Sequence, residues 1–212
     1  MSARGAEGDR HAAAVVHQAA ARLLGYPDPQ LPAELPLLRA ALDATGTRPA
    51  QLLRPLLDHL GGTALPELTA GYVRTFDFTT RHCLHLTWWT DGDTRRRGQA
   101  LVRFKERYRQ HGLEPAGEEL PDFLPVVLEF SAAARTDVLL REHRPALELL
   151  RLALTEDGTP YAAALEAVCA TLPGASPADR AAAMAMARSG PPREEVGLTP
   201  YGHLGLLPVV GT

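Results

Sequence analysis

The chain has 212 residues, 45% apolar and 22% charged, which is enough apolar material for a substantial core and an ordinary balance for a globular protein. Lys and Arg total 22 against 25 Asp and Glu, a net charge of −3, so no electrostatic footprint for nucleic acid is present. No stretch approaches the ~20 continuous apolar residues of a membrane span, the N-terminus lacks the apolar core of a signal peptide, and Cys83 and Cys169 form no paired framework, so the expectation is a cytoplasmic chain with reduced thiols and no stable membrane insertion.

Taken in order, the segments read as helix after helix. Residues 11–24 are Ala-rich with Val16, Ala20 and Leu24 on one face, and Gly25 and Pro27 stop them. Residues 33–44 follow, ended by Gly46, and then 49–60, closed by Gly61 and Gly62, where Pro55 either bends the helix or marks a late start. Residues 65–75 lead into the aromatic run Tyr72, Phe76 and Phe78. Residues 81–90 have a blurred period and are assigned to helix. Asp91-Gly92-Asp93 forms a turn whose Asp93 caps a long helix over 94–110, ended by Gly112. Further helices are expected from Pro121 or Asp122 to 134, and over 137–154, 160–171 and 177–189. From Gly190 the chain is rich in Gly and Pro and reads as an extended tail containing the apolar run 204–210. Strand alternation and fixed-period repeats are absent from the pattern. The expected fold is therefore an all-α, single-domain helical bundle of about nine to ten helices over 1–189, with a partly flexible tail over 190–212.

Four constellations carry possible chemistry. Arg95, Arg96 and Arg97 crowd the positive end of the helix dipole, each at a cost of about 0.3–1 kcal/mol when exposed, so they call for partners: carboxylates, or a polar or anionic group of a ligand, against the plainer reading of a solvated basic patch. Glu129 lies in a segment that is apolar nearly all round and is expected to be buried in a structural ion pair with at least one of Arg95, Arg96 and Arg97, Arg96 in the first place. His82 and His85 would share a helical face while Cys83 points away, and two ligands without a Cys-x-x-Cys pair do not make a zinc site, so no metal is expected. Adjacent Trp88 and Trp89 cannot both face one core from a helix, so one should lie at a groove, where Trp beside Arg is a common composition for a protein-binding hot spot.

The segments Tyr72-Val73-Arg74-Thr75-Phe76-Asp77, Gly92-Asp93-Thr94-Arg95-Arg96-Arg97-Gly98, Glu119-Leu120-Pro121-Asp122, Leu128-Glu129-Phe130 and Val196-Gly197-Leu198-Thr199-Pro200-Tyr201-Gly202 together resemble the NarJ-like assembly chaperones of the nitrate reductase delta-subunit family. One departure is Phe123, where the family pattern often has His after Pro-Asp. The resemblance implies an all-helical chaperone, not an enzyme, that needs no cofactor of its own. It would bind the apo catalytic (alpha) subunit of respiratory nitrate reductase, including its N-terminal segment, and hold it competent for molybdenum cofactor insertion. The expected partner-binding residues are Tyr72, Phe76, Trp88, Trp89, Asp93, Arg95, Arg97, Phe104 and Tyr108, forming aromatic anchors with a basic rim. The alternatives are a chaperone of a different molybdenum enzyme, or a small helical enzyme or metal-binding protein. The pattern leaves the oligomeric state open.

Overall fold

Residues 3–91, 95–115 and 117–189 are described in a computed structural model. The tail over 190–212, the C-terminal motif within it, and Asp93 lie outside the described residues. Secondary structure among the described residues is helical: α1 (Ala3–Leu24), α2 (Leu31–Thr45), α3 (Arg48–Leu52), α4 (Arg54–Gly62), α5 (Leu65–Phe76), α6 (Leu86–Asp91), α7 (Arg95–Gln110), α8 (Leu124–Ala134), α9 (Val138–Glu142), α10 (Arg144–Glu156), α11 (Ala162–Thr171) and α12 (Arg180–Ser189). A single 3-10 turn covers Thr80–His82.

Proline punctuates this architecture. Helices α2, α3, α4, α5, α8 and α10 all carry Pro in their first turn, where its missing N–H falls on a position with no helical acceptor. The same rule explains two departures from the expected elements. Pro55 starts a new helix after Leu53, and Pro145 starts another after His143, splitting the expected 137–154 helix into α9 and α10. Helix α2 ends by the opposite device: Gly46 takes a left-handed conformation at φ 63° and returns its N–H to the Asp43 carbonyl. Arg135 does the same after α8 at φ 49° without being glycine, a conformation an L side chain adopts only under strain.

Helix α1 is the axle. Its Val16, Ala19, Ala20, Leu23 and Leu24 are buried, and the alanines let it approach α8 closely while α2 and α11 pack on its other sides. Helix α11 bridges α3 and α10, and α12 lies on α10. One apolar cluster runs through these layers, from Leu24 and Leu56 to Leu128, Leu150 and Leu165.

The expected helix over 81–90 is corrected. Only Thr80–His82 and Leu86–Asp91 turn, and the residues between are extended. They form an antiparallel bridge, His85 opposite Phe123, closed by Leu86 N–H to the Asp122 carbonyl at 3.0 Å and Leu124 N–H to the Leu84 carbonyl at 2.8 Å. A non-local partner has taken the backbone donors and acceptors that a helix would have used.

Candidate functional site

The bridge between 84–86 and 122–124 builds the floor of an open hollow of about 270 Å³ between α5, the 3-10 turn and α6. Phe76, Trp88, Phe123 and the edge of the nearly buried Tyr72 supply its apolar walls, and Asp77, Thr79 and Thr80 its polar rim. Beside it Phe78 is 79% exposed and Tyr26 54% exposed. Tyr72 anchors the wall: its ring meets Tyr26 at 5.4 Å and Phe76 at 4.7 Å, and its hydroxyl donates to the Leu24 carbonyl at 3.0 Å. Burial pushes the Tyr72 phenol well above its ordinary value and the Tyr161 phenol behind it up to about 12, so both remain neutral donors.

Under the floor sits Asp122, with no exposed surface. Its Oδ2 accepts from Thr87 N–H at 3.2 Å and the Thr87 hydroxyl at 2.5 Å, and its Oδ1 faces His85 Nδ1 at 3.1 Å. Burial alone would raise this carboxyl, but the hydrogen bonds from His85 and Thr87 outweigh it and hold Asp122 below the usual carboxylate range. Arg97 donates from Nε to Thr87 Oγ1 at 3.2 Å. The polar chain thus runs Arg97–Thr87–Asp122–His85, tying α7 to α6 and to the segment before α8.

The expected site residues separate accordingly. Tyr72, Phe76 and Trp88 come together at the hollow. Trp89 does not join them: it packs against the core and its indole N–H is committed to the Cys83 carbonyl at 3.0 Å. Phe104 and Tyr108 are corrected to core residues, 2% and 1% exposed. Phe104 stacks on His143 at 4.7 Å, and Tyr108 packs on Phe130 while donating to the Pro121 carbonyl. Arg97 is turned inward to Thr87 and is not among the lining residues, Arg96 is exposed, and the Arg95 side chain lies outside the described residues. The rim that the lining residues supply is therefore acidic and hydroxylic, with Asp77 as its charged member, where a basic rim was expected.

The Glu129–Arg96 ion pair is also corrected. Glu129 is exposed, and among the described residues no arginine forms an ion pair with it. Partial burial raises its carboxyl, the opposite of what a neighbouring guanidinium does. Position 129 shares an outward stripe with Val126 and Ala133 at helical spacing, while Leu124, Val127, Leu128, Phe130 and Ser131 are buried. The buried ion pair is elsewhere, at Glu148 on α10. Glu148 has no exposed surface and binds Arg151 Nε at 2.7 Å, the Ser176 hydroxyl at 2.7 Å and Arg144 at 3.4 Å. Arg144 and Arg151 extend on to the carbonyls of Pro173, Gly174 and Pro177, fixing the crossing from α11 to α12. The signal for it was an acid flanked at i−4 and i+3 by arginines in an otherwise apolar helix.

His82 and His85 serve separate tasks. His82 is buried with Nδ1 2.8 Å from the Thr75 carbonyl and Nε2 3.1 Å from Asp157 Oδ2, whereas His85 belongs to Asp122. No group of three metal-ligating side chains occurs among the described residues. Burial raises the Cys83 thiol despite a hydrogen bond from the His85 backbone and the field of Arg97, so it is held protonated and weakly nucleophilic.

Comparison with known proteins adds the evolutionary frame. Residues 39–167 match the family model described as nitrate reductase delta subunit. The chain is 40% identical over 167 residues to the nitrate reductase-like protein NarX of Mycobacterium tuberculosis (strain H37Rv), an alignment covering 74% of this chain and 24% of that protein. It is 33% identical over 152 residues to the nitrate reductase molybdenum cofactor assembly chaperone NarJ of Escherichia coli K12, covering 66% of this chain and 62% of that one. The chain thus spans about a quarter of the first relative and under two thirds of the second. A crystal structure of an Archaeoglobus fulgidus protein assigned to redox enzyme maturation superposes with a TM-score of 0.56 at 22% identity, over 74% of this chain and 91% of that one, which establishes a shared fold.

Proposed function

The chain belongs to the nitrate reductase delta subunit family, and from that premise we propose that it is a dedicated assembly chaperone. It binds the apo catalytic subunit of a respiratory nitrate reductase through that subunit's N-terminal segment and keeps it competent for insertion of the molybdenum cofactor. The work is done in the cytoplasm by binding, without catalysis or a cofactor of its own. Among the described residues no helix is long and apolar enough to cross a membrane.

The observation that supports this reading is the hollow walled by Phe76, Trp88 and Phe123 with Phe78 exposed beside it. Apolar surface of this kind is stabilised by an occupant, at about 25 cal/mol per Å² removed from water. An amphipathic helix laid across it would bury its apolar face on the aromatic walls and keep its polar face in solvent. A chaperone has to release its client, so micromolar affinity, about −8 kcal/mol, suits the task better than picomolar.

Titration calorimetry with a synthetic peptide of the first ~20–30 residues of the catalytic subunit tests the proposal. Saturable binding is expected, weakened about tenfold or more by Trp88→Ala, the loss typical of a central aromatic anchor. Absence of binding to the wild-type chain, with unimpaired nitrate reductase maturation in cells carrying Trp88→Ala, would remove the groove assignment.

A further inference from the structure

Within the apolar hollow one side chain is oriented for recognition without being needed for packing alone: His85. We propose that His85 is the groove's hydrogen-bond acceptor, that its Nε2 receives a hydrogen bond from a donor side chain of the bound client segment, and that Asp122 is the positioning residue that fixes this polarity. The inference rests on the groove being the client-binding surface.

Asp122 has no exposed surface, and its second oxygen is fully engaged by the Thr87 N–H and hydroxyl. An ionised carboxylate only accepts, so the nitrogen facing Oδ1 at 3.1 Å, His85 Nδ1, carries the ring proton. In the neutral imidazole the other nitrogen then holds a lone pair. Among the described residues Nε2 meets no protein partner and is not one of the buried unpaired nitrogens, so it keeps contact with solvent. The side chain is 28% exposed and its ring leans on Phe123 at 5.3 Å, on the groove floor opposite Trp88. The result is a directed acceptor set among aromatic walls.

Such an atom discriminates between occupants. A wholly apolar segment would bury the Nε2 lone pair unpaired, whereas a segment with a correctly placed N–H or O–H donor would satisfy it. The class of ligand is therefore an apolar helix interrupted by one donor side chain on its buried face. The other side-chain acceptors of the lining, the Asp77 carboxylate and the Thr79 and Thr80 hydroxyls, sit on the rim where water can satisfy them, so they are less selective.

The test uses the full chain, the peptide of the catalytic subunit's first ~25 residues, and imidazole ¹⁵N spectra. At pH 8, above the ordinary imidazole value of about 6.5, free protein should show His85 with Nδ1 protonated and Nε2 unprotonated, and saturating peptide should shift the Nε2 resonance in the direction of an accepted hydrogen bond; a doubly protonated ring at that pH overturns the assignment. Asp122→Asn, whose amide can donate as well as accept, should let the Nε2–H tautomer appear. His85→Phe, which keeps a ring against Phe123 but takes a donor from buried Asp122, should lower the melting temperature and, at a temperature where the variant is still folded, weaken the peptide roughly three- to tenfold, and one alanine substitution in the peptide should cost affinity against wild type and nothing against His85→Phe. Should His85→Phe not fold, His85→Gln gives the same comparison. An Nε2 resonance unmoved by saturating peptide, or His85→Phe binding as tightly as wild type while Trp88→Ala binds weakly, overturns the assignment and leaves the groove reading intact. A peptide that does not bind the wild-type chain overturns both.

Discussion

Among the described residues two carboxylates are fully buried, and they are finished differently. Glu148 is sealed between Arg144 and Arg151, whose side chains are only 11% and 13% exposed, and all three groups also grip the loop that leads to α12. Asp122 is matched by no arginine in contact: it takes two donors from Thr87 and one from His85, and the His85 ring reaches the surface of the hollow. The first arrangement closes a structural joint. The second spends one of its three donors on a group that remains in contact with whatever fills the groove. A buried charge thus marks a lock when its partners are buried too, and a site when one of them is accessible.

The largest effect expected from this contrast is on the sealed side. Glu148→Gln leaves two guanidinium groups in the interior without their counter-charge and should destabilise the fold by about 3–5 kcal/mol in chemical denaturation. A loss below about 1 kcal/mol would mean that water reaches the joint. Acid should act first through buried histidines, before Asp122. Burial holds His17 at about 4 against an ordinary 6.5, so the unfolded chain takes the proton first, and stability falls by roughly 3 kcal/mol as pH drops from about 6.5 to about 4, then flattens. His143 is held at about 4 in the same way. His17→Gln should flatten its share of that slope, and a slope unchanged by the substitution would contradict the assignment.

Smaller effects belong to the open side. Asp122→Asn should cost about 1–3 kcal/mol, since two donors retain a partner while the charge is lost. Because the Asp122 pKa is depressed in the folded state, its stabilisation is complete above the ordinary 3.8 and disappears as pH falls through the folded value, so the mutant and wild-type stability curves should converge only in that acid range. Glu129→Gln, on the exposed stripe of α8, should leave stability within roughly 0.5 kcal/mol of wild type.

Most helices were legible because their stops are local. Gly46, Gly61, Pro55 and Pro66 act within a turn or two of their own position, and the all-α class follows from them. What escaped was decided at a distance. The extended step at Cys83–His85 exists because residues 122–124, far along the chain, supply its hydrogen bonds. Glu129 looked buried because α8 is apolar nearly all round, yet the single outward stripe that α1 and the helices around it leave uncovered runs through it. Tyr72, Phe76 and Trp88 meet at the hollow as their clustering in sequence suggests, whereas the inward turn of Arg97 and the burial of Phe104 and Tyr108 depended on which face of α7 meets Phe130 of α8 and His143 before α10. The pairing of His85 with Asp122 leaves no local trace in the sequence, because Asp122 lies across the bridge.

The central position of α1 has a consequence for how the chain is made. Its buried face packs on α8 and α11, neither of which exists until the ribosome has added roughly a hundred residues beyond Leu24. At about 5–20 residues per second, Val16, Ala20, Leu23 and Leu24 remain without their final cover for several seconds or longer. During that interval the nascent protein is itself a client, exposing the apolar face of α1 for others to hold.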